Sequence, residues 1–185
     1  MPNHCLPRLA QLFAALTLVL SATANSTPDR IVIIRHAEKP AQGDNLSCKG
    51  QNRALQLADV LFDKFGLPER TYVPSLKQGG ATKHARMLQT VTPFAVKHNL
   101  QINSKFDESD VKAVAADVLG RSKLVLMVWE HSKIQALAQS LGAADAPKWD
   151  GHDFDSIWVI TFAAGQARLN TDAKQGLEPA EQCGF

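Results

Sequence analysis

The sequence predicts an α/β protein, a three-layer α/β/α sandwich with a mainly parallel central sheet. Segments 31–34 and 124–128 are short, uninterrupted apolar runs, which are typical of strands buried on both faces. Stretches with helical periodicity alternate with these strands, and this order is typical of helices that cover both faces of a parallel sheet. A chain of 185 residues is long enough to bury one core of this kind.

Composition and charge limit the possible functions. The chain is 45% hydrophobic and 21% charged, with a formal net charge of +2, so it does not resemble a disordered protein. Its near-balanced charge produces no field strong enough to indicate a nucleic-acid partner. The sequence therefore predicts a globular protein that does not bind nucleic acid.

The first 24 residues have the layout of a secretory signal peptide. Arg8 precedes an apolar run over 12–20, and small residues follow at 21–24. An N-terminal membrane anchor is the alternative, but the apolar run is much shorter than the roughly 20 residues that span a bilayer. We therefore expect cleavage after Ala24, a domain over 25–185 with no stable membrane span, and a periplasmic or secreted protein.

The first half of that domain contains two predicted helices. Apolar residues at spacings of three and four indicate a helix over about 47–65, after the strand at 31–34. Tyr72 and Val73 form a short strand candidate. A second helix is predicted over about 82–98, and Pro93 within it predicts a break or a kink.

The second half continues the alternation. A third helix is predicted over about 107–119, before the buried strand at 124–128, and a fourth over 132–141. Segments 157–162 and 167–170 are predicted to pair as a hairpin.

Charged side chains follow both buried strands. Arg35 and His36 come directly after the first, and Glu130 and His131 follow the second. Because ligands of such sheets bind beyond the carboxyl ends of the strands, we expect these four side chains to converge on one ligand.

This combination suits a phosphoryl group better than a cation. Guanidinium groups bind two phosphate oxygens at once and stay charged at any working pH. A neutral imidazole can attack phosphorus while a carboxylic acid protonates the leaving oxygen. Arginines can supply the charge that Mg²⁺ supplies in kinases. We therefore expect no metal and no cofactor.

Segment 152–155 (His-Asp-Phe-Asp) superficially resembles a metal site but lacks a second histidine or a cysteine pair, so it is predicted to be a turn.

Four motifs resemble those of the histidine phosphatase (phosphoglycerate mutase-like) superfamily. They occur in the family's order and span residues 31–131. They are Ile34-Arg35-His36-Ala37-Glu38-Lys39, Leu46-Ser47-x-x-Gly50-x-x-Arg53-Ala54, Arg86-x-x-x-Thr90 and Glu130-His131.

The resemblance implies a role for each matching residue. His36 would be the nucleophile that forms a phosphohistidine, Arg35 and Arg86 would hold the phosphoryl group, and His131 would hydrogen-bond the same oxygens. Lys39 is a further candidate phosphate contact, unless it only pairs with Glu38 at the rim of the site.

The family's proton donor is a carboxyl group whose position varies. Glu108 follows the helix of Arg86, where small members carry their acid, and Glu130 stands beside the second histidine, near the acid of another branch. Glu108 is the preferred candidate. The Gly-rich stretch 75–80 is longer than usual, so Lys77, Lys83 or His84 could touch a phosphate, or the stretch could be a solvated loop.

The resemblance implies a metal-independent phosphatase that hydrolyses small phosphomonoesters through a phosphohistidine, and the signal-peptide layout of residues 1–24 predicts that it is exported. Three alternatives remain open: a non-catalytic phosphate-binding or regulatory protein, a phosphoglycerate mutase-like phosphotransferase, and a phosphoprotein phosphatase. The mutase reading is disfavoured because the domain leaves little room for the larger cap of those enzymes.

Two cysteines, Cys48 and Cys183, remain after signal cleavage. In an oxidising compartment they are expected to form one disulfide between an early loop and the C-terminus. Two buried thiols too far apart to react are the alternative.

Overall fold

The computed structural model describes residue 1 and residues 27–77 and 84–185. The predicted signal peptide beyond its first residue lies outside the described part of the chain, and so does Lys83. None of the helices in the described ranges is long and apolar enough to cross a membrane.

A six-stranded mixed sheet forms the centre of the fold, in the order β3-β2-β4-β1-β5-β6. Its first four strands in sequence are mutually parallel, β5 is antiparallel to β1, and β6 is antiparallel to β5. The strands are β1 (Arg30–Arg35), β2 (Arg70–Tyr72), β3 (Ile102–Asn103), β4 (Leu124–Trp129), β5 (Ser156–Ala163) and β6 (Gln166–Lys174).

Among the described residues, four helices cover the two faces of the sheet: α1 (Cys48–Phe65), α2 (Ala85–His98), α3 (Val111–Leu119) and α4 (His131–Ser140). Val32 and Ile34 of β1 pack in the core under α1 and α2, whereas Ile31 and Ile33 pack in the core under α3 and α4. Because β1 and β4 bury side chains on both faces, their sequences are apolar throughout. The α/β/α sandwich with a mainly parallel core is therefore confirmed.

Three details differ from the sequence-based expectations. Strand β3 is not predicted from the sequence and is only two residues long. The third helix begins at Val111 rather than near 107, because Asp107 accepts hydrogen bonds from the backbone nitrogen and the hydroxyl of Ser109 and forms a turn there. The second helix continues through Pro93 without a break. Val91 and Phe94, which lie before and after Pro93 in the sequence, are buried and hold the helix against the sheet.

The chain after β6 returns to the beginning of α1. Cys48 and Cys183 are joined by a disulfide with their Cα atoms 4.7 Å apart. The side-chain amide of Asn52 donates to the carbonyl oxygens of Ala180 (2.9 Å) and Gln182 (2.8 Å). The C-terminal segment 175–183 is therefore fixed against the helix that follows the loop of His36.

Candidate active site

His36 lies at the carboxyl end of β1 and is completely buried. Its backbone nitrogen donates to the carbonyl of Trp129 (3.2 Å), which continues the β1–β4 pairing to this point. Nδ1 lies 2.6 Å from the carbonyl oxygen of Ala37. A carbonyl only accepts, so Nδ1 carries a proton and Nε2 is the nitrogen that can act as a nucleophile.

Glu130 follows β4 and occupies the N-cap position of α4. Its Oε2 lies 3.1 Å from Nε2 of His36. Burial disfavours the charged carboxylate, but the hydrogen bond from His36 and the positive charges nearby outweigh it and lower the pKa of Glu130 to about 2. Glu130 is therefore ionised at neutral pH and accepts the hydrogen bond from Nε2 of His36.

Arg35 is the last residue of β1 and only 2% exposed. Its Nη1 donates to the carbonyl oxygens of Gly151 (2.8 Å) and Asp153 (3.2 Å), and its guanidinium carbon lies 3.8 Å from the centre of the Phe154 ring. Burial lowers the pKa of Arg35 to about 10, so the group remains cationic at neutral pH. Its buried Nε has no hydrogen-bond partner among the described residues and can donate to a ligand.

The imidazole of His131 lies between a donor and an acceptor. Nδ1 is 3.2 Å from Nη2 of Arg35, which can only donate, and it also contacts Oε1 of Glu130, which accepts when ionised. Burial and the positive charge of Arg35 lower the pKa of His131. Nδ1 of His131 cannot both accept a hydrogen bond from Arg35 and donate one to Glu130. A ligand oxygen that accepts from Arg35 would leave Nδ1 available to Glu130.

Arg86 reaches the same edge of the sheet through the first turn of α2. Thr90, one helical turn later, accepts a hydrogen bond from the backbone nitrogen of Ala37 (2.9 Å). Nη2 of Arg86 donates to the carbonyl of Gly43 (2.7 Å), and its buried Nε has no partner in the described ranges. A second guanidinium with a donor available to a ligand therefore lies near the loop of His36.

Glu38 does not pair with Lys39, so the alternative in which Lys39 only pairs with Glu38 at the rim is wrong. It binds Arg53 through three contacts of 2.8–3.0 Å, and both side chains are largely buried. Lys39 is exposed and makes no hydrogen bond within the described part of the chain. The reason is geometric: α1 passes over this loop and brings Arg53 to Glu38.

The motif that begins at Leu46 holds α1 against the same loop. Ser47 caps the helix by accepting from the nitrogen of Gly50 (3.1 Å), and its own nitrogen donates to the carbonyl of Glu38 (2.9 Å). A Cβ atom at Gly50 would lie 2.1 Å from the carbonyl oxygen of Glu38. Glycine is therefore required at residue 50 for α1 to approach the loop this closely.

The structure does not bring Glu108 to His36 by any hydrogen bond in the described ranges. Its Oε2 lies 2.5 Å from Nδ1 of His84, and its backbone carbonyl accepts from the indole of Trp129 (3.0 Å). Lys77 forms an ion pair with Asp107 (2.8 Å). The two acid candidates thus differ in surroundings: Glu130 contacts the proposed nucleophile, and Glu108 contacts a histidine at the start of α2.

Comparison with known proteins yields matches in structure only. No protein-family model and no curated protein matches the sequence. The structure of the protein histidine phosphatase SixA complexed with tungstate has a TM-score of 0.58, with 18% identity over 79% of this chain and 97% of that chain. The mycobacterial glucosyl-3-phosphoglycerate phosphatase with inorganic phosphate has a TM-score of 0.57, with 15% identity over 78% of this chain and 96% of that one.

A phosphoserine phosphatase from Entamoeba histolytica, in complex with 3-phosphoglyceric acid, has a TM-score of 0.54, with 14% identity over 78% of this chain and 96% of the other. All three matches cover nearly the whole of the other protein. The chain shares its fold with these three phosphatases, as the resemblance of the four sequence motifs implies.

Among the described residues, three side chains offer ligand atoms that are close enough together to hold a metal ion. Ligand atoms of His36, Glu130 and His131 all lie within 4.8 Å of one another. The guanidinium of Arg35, 3.2 Å from Nδ1 of His131, opposes a cation at this position. The guanidinium of Arg35, together with that of Arg86 near the same loop, instead favours an anion.

Several parts of the site were not found by sequence reasoning. Arg35 is fixed by carbonyl oxygens of Gly151 and Asp153 and by the ring of Phe154. Backbone carbonyls leave no signal in a sequence. These residues belong to the segment around 152–155, for which a turn was predicted and where the structure has a turn at 151–152.

Proposed function

We propose that this protein is a phosphomonoester hydrolase that acts through a phosphohistidine on Nε2 of His36. The observation that carries the proposal is the pair of His36 and Glu130. Nδ1 is committed to the Ala37 carbonyl, and the other nitrogen lies 3.1 Å from a carboxylate. This arrangement provides one nucleophilic nitrogen and one group that can exchange a proton with it.

The phosphoryl group is held by the arginines. Arg35 and Arg86 each present a buried Nε with no partner in the described structure, and planar guanidinium donors match the spacing of phosphate oxygens. His131 hydrogen-bonds the same oxygens once Arg35 donates to the ligand. Charge on the transferring group is stabilised by these cations, so we propose a reaction that needs no metal ion.

The resting proton on Nε2 of His36 has to move before attack. A bound phosphate dianion opposes the negative charge of Glu130 and raises the pKa of its carboxyl group, so the proton passes from Nε2 to Glu130. This transfer creates the neutral nucleophile and the carboxylic acid in one step. Because Glu130 contacts Nε2 in the resting structure, it must also swing away towards the leaving oxygen.

Two half-reactions follow. The lone pair of Nε2 attacks phosphorus, the bond between phosphorus and the leaving oxygen breaks, and Glu130 protonates that oxygen. The carboxylate of Glu130 then takes a proton from water, whose oxygen attacks phosphorus, and the phosphorus–nitrogen bond breaks. Inorganic phosphate leaves, and the proton on Glu130 returns to Nε2 of His36.

We propose Glu130 rather than Glu108 as the acid, which reverses the preference drawn from the sequence. Contact with Nε2 of His36 supports Glu130. The pairing of Glu108 with His84 supports a role at the edge of the site instead.

The substrate class is proposed at the level of phosphomonoesters. The neighbours include proteins described as a protein histidine phosphatase, a phosphoserine phosphatase and a phosphoglycerate mutase, so their names support phosphoryl chemistry and do not select one substrate. Export to a periplasm or exterior remains part of the proposal. It is supported by the layout of residues 1–24 and by the Cys48–Cys183 disulfide, which persists in oxidising compartments.

The test is hydrolysis of p-nitrophenyl phosphate by the purified protein in the presence of EDTA, over roughly pH 4 to 8. We expect turnover that EDTA does not reduce and that inorganic phosphate and tungstate inhibit competitively. Phosphate binding without turnover at any pH would contradict the hydrolase and favour a phosphate-binding protein. Turnover that EDTA abolishes and a divalent cation restores would contradict the metal-independent reaction.

A further inference from the structure

The C-terminal segment contains one buried polar side chain that touches both sides of the site. We propose that Gln175 is a positioning residue that joins the loop of His36 to the loop that holds Arg35. This inference rests on the proposed function, because the atoms that Gln175 positions are those assigned to phosphoryl transfer.

Both ends of the Gln175 amide are used. Its Oε1 accepts from Nη1 of Arg53 (3.0 Å), and its Nε2 donates to the carbonyl oxygen of Phe154 (2.8 Å). The residue is 5% exposed, so water does not readily replace either partner. A buried amide that makes both hydrogen bonds restrains the two groups relative to each other.

The first of these contacts leads to the nucleophile. Arg53 uses Nε and Nη2 to hold the carboxylate of Glu38 and its remaining Nη1 to reach Gln175. Glu38 lies two residues after His36, and its backbone is held by the N-terminus of α1. Loss of the amide would leave Nη1 of a buried guanidinium without its closest acceptor and free Arg53 to shift, together with Glu38.

The second contact leads to the phosphate-binding side. Phe154 stacks on the guanidinium of Arg35 at 3.8 Å, and its ring centre lies 6.2 Å from that of His36. The carbonyl of Asp153, the preceding residue, accepts from Nη1 of Arg35 (3.2 Å). A shift of the Phe154 backbone would therefore move two of the partners that orient Arg35, the Asp153 carbonyl and the Phe154 ring.

The backbone of Gln175 is held in place independently of its side chain. Its backbone nitrogen donates to the carbonyl of Asp155 (2.7 Å), and the segment that follows is anchored by the disulfide and by Asn52. Side-chain substitutions at residue 175 leave these anchors intact. The effect of the amide can therefore be separated from the attachment of the tail.

The experiment compares Gln175→Leu, which removes both contacts, with Gln175→Glu, which can still accept from Arg53 but cannot donate to Phe154 when ionised. Gln135→Ala is the matched control, since it removes another amide-to-carbonyl bond (to Ala146, 3.0 Å) with no contact to Arg53 or Phe154. Each protein is measured well below its unfolding temperature. The readouts are the Hε1 NMR resonance of His36, assigned by its loss in His36→Ala, and kcat and KM for p-nitrophenyl phosphate with inhibition by inorganic phosphate.

We expect both Gln175 variants to shift the His36 resonance, because the nearby Phe154 ring moves. We also expect them to lower kcat/KM by about tenfold or more, as misplacement of reacting groups does. Weaker inhibition by inorganic phosphate should accompany the loss, while Gln135→Ala stays at wild-type values. A structural role in satisfying Arg53 alone would instead leave Gln175→Glu at wild-type resonance and kinetics.

The inference is overturned if folded Gln175→Leu keeps the wild-type His36 resonance, or if its kinetic loss is no larger than that of Gln135→Ala. Failure of the proposed function has a different signature. If the wild-type protein does not turn over phosphomonoesters, that proposal fails, and the His36 resonance still decides whether Gln175 positions the site.

Discussion

Replacement of His36 by alanine is expected to lower kcat/KM for p-nitrophenyl phosphate by on the order of 10⁴-fold or more, because it removes the nucleophile that divides hydrolysis into two steps. Binding of inorganic phosphate should weaken much less, since Arg35 and Arg86 supply most of the charge that attracts it. The measurement is steady-state kinetics together with calorimetric titration of phosphate.

His98→Ala is the matched control for this variant. It removes a histidine from the opposite end of α2, where the ring stacks on Phe62 with centroids 4.9 Å apart. Its kcat should stay at the wild-type value at a temperature where the variant is folded. If His36→Ala retained activity within about tenfold of wild type, water or another side chain would be the attacking group.

Glu130→Gln is expected to produce an effect that depends on the leaving group. An alkyl phosphate such as glycerol phosphate needs a proton on its leaving oxygen, so its kcat/KM, which covers the steps up to formation of the phosphohistidine, should fall by roughly 10²- to 10⁴-fold. p-Nitrophenolate leaves without protonation, so the same variant should lose much less kcat/KM on that substrate. The kcat of both substrates also includes the Glu130-assisted hydrolysis of the phosphohistidine, so the measurement is the ratio of kcat/KM values for the two substrates in each protein.

Glu108→Gln provides the comparison, since it is the other acid candidate. It should leave the ratio between the two substrates unchanged, because its carboxylate pairs with His84 (2.5 Å) and not with His36. The assignment of Glu130 is wrong if Glu108→Gln selectively loses the alkyl phosphate while Glu130→Gln affects both substrates equally.

The sequence predicted the layers of the fold and the convergence of four site residues for a physical reason. Strands β1 and β4 are buried on both faces, so they read as continuous apolar runs, and the residues after them fall at one edge of a parallel sheet. The two-residue strand β3 is too short to produce a pattern, and no alternation marks it.

Partners from distant parts of the chain were harder to foresee. Arg53 and Glu38 lie 15 residues apart, and Gln175 lies 122 residues after Arg53, so no local spacing connects them. The choice between Glu108 and Glu130 also depends on which histidine each carboxylate meets after folding. The sequence contains both carboxylates, but it does not show which of them lies closer to Nε2 of His36 in the folded protein.

The measurement that tests the central claim most directly is capture of the covalent intermediate. The protein is mixed rapidly with p-nitrophenyl phosphate and denatured in base, which preserves phosphohistidine, and its peptides are then mapped by mass spectrometry. We predict one phosphoryl group on His36 that is lost in acid, and its absence from His36→Ala. Turnover with no phosphoryl group on the protein, or with the group on a different residue, would contradict the proposed mechanism.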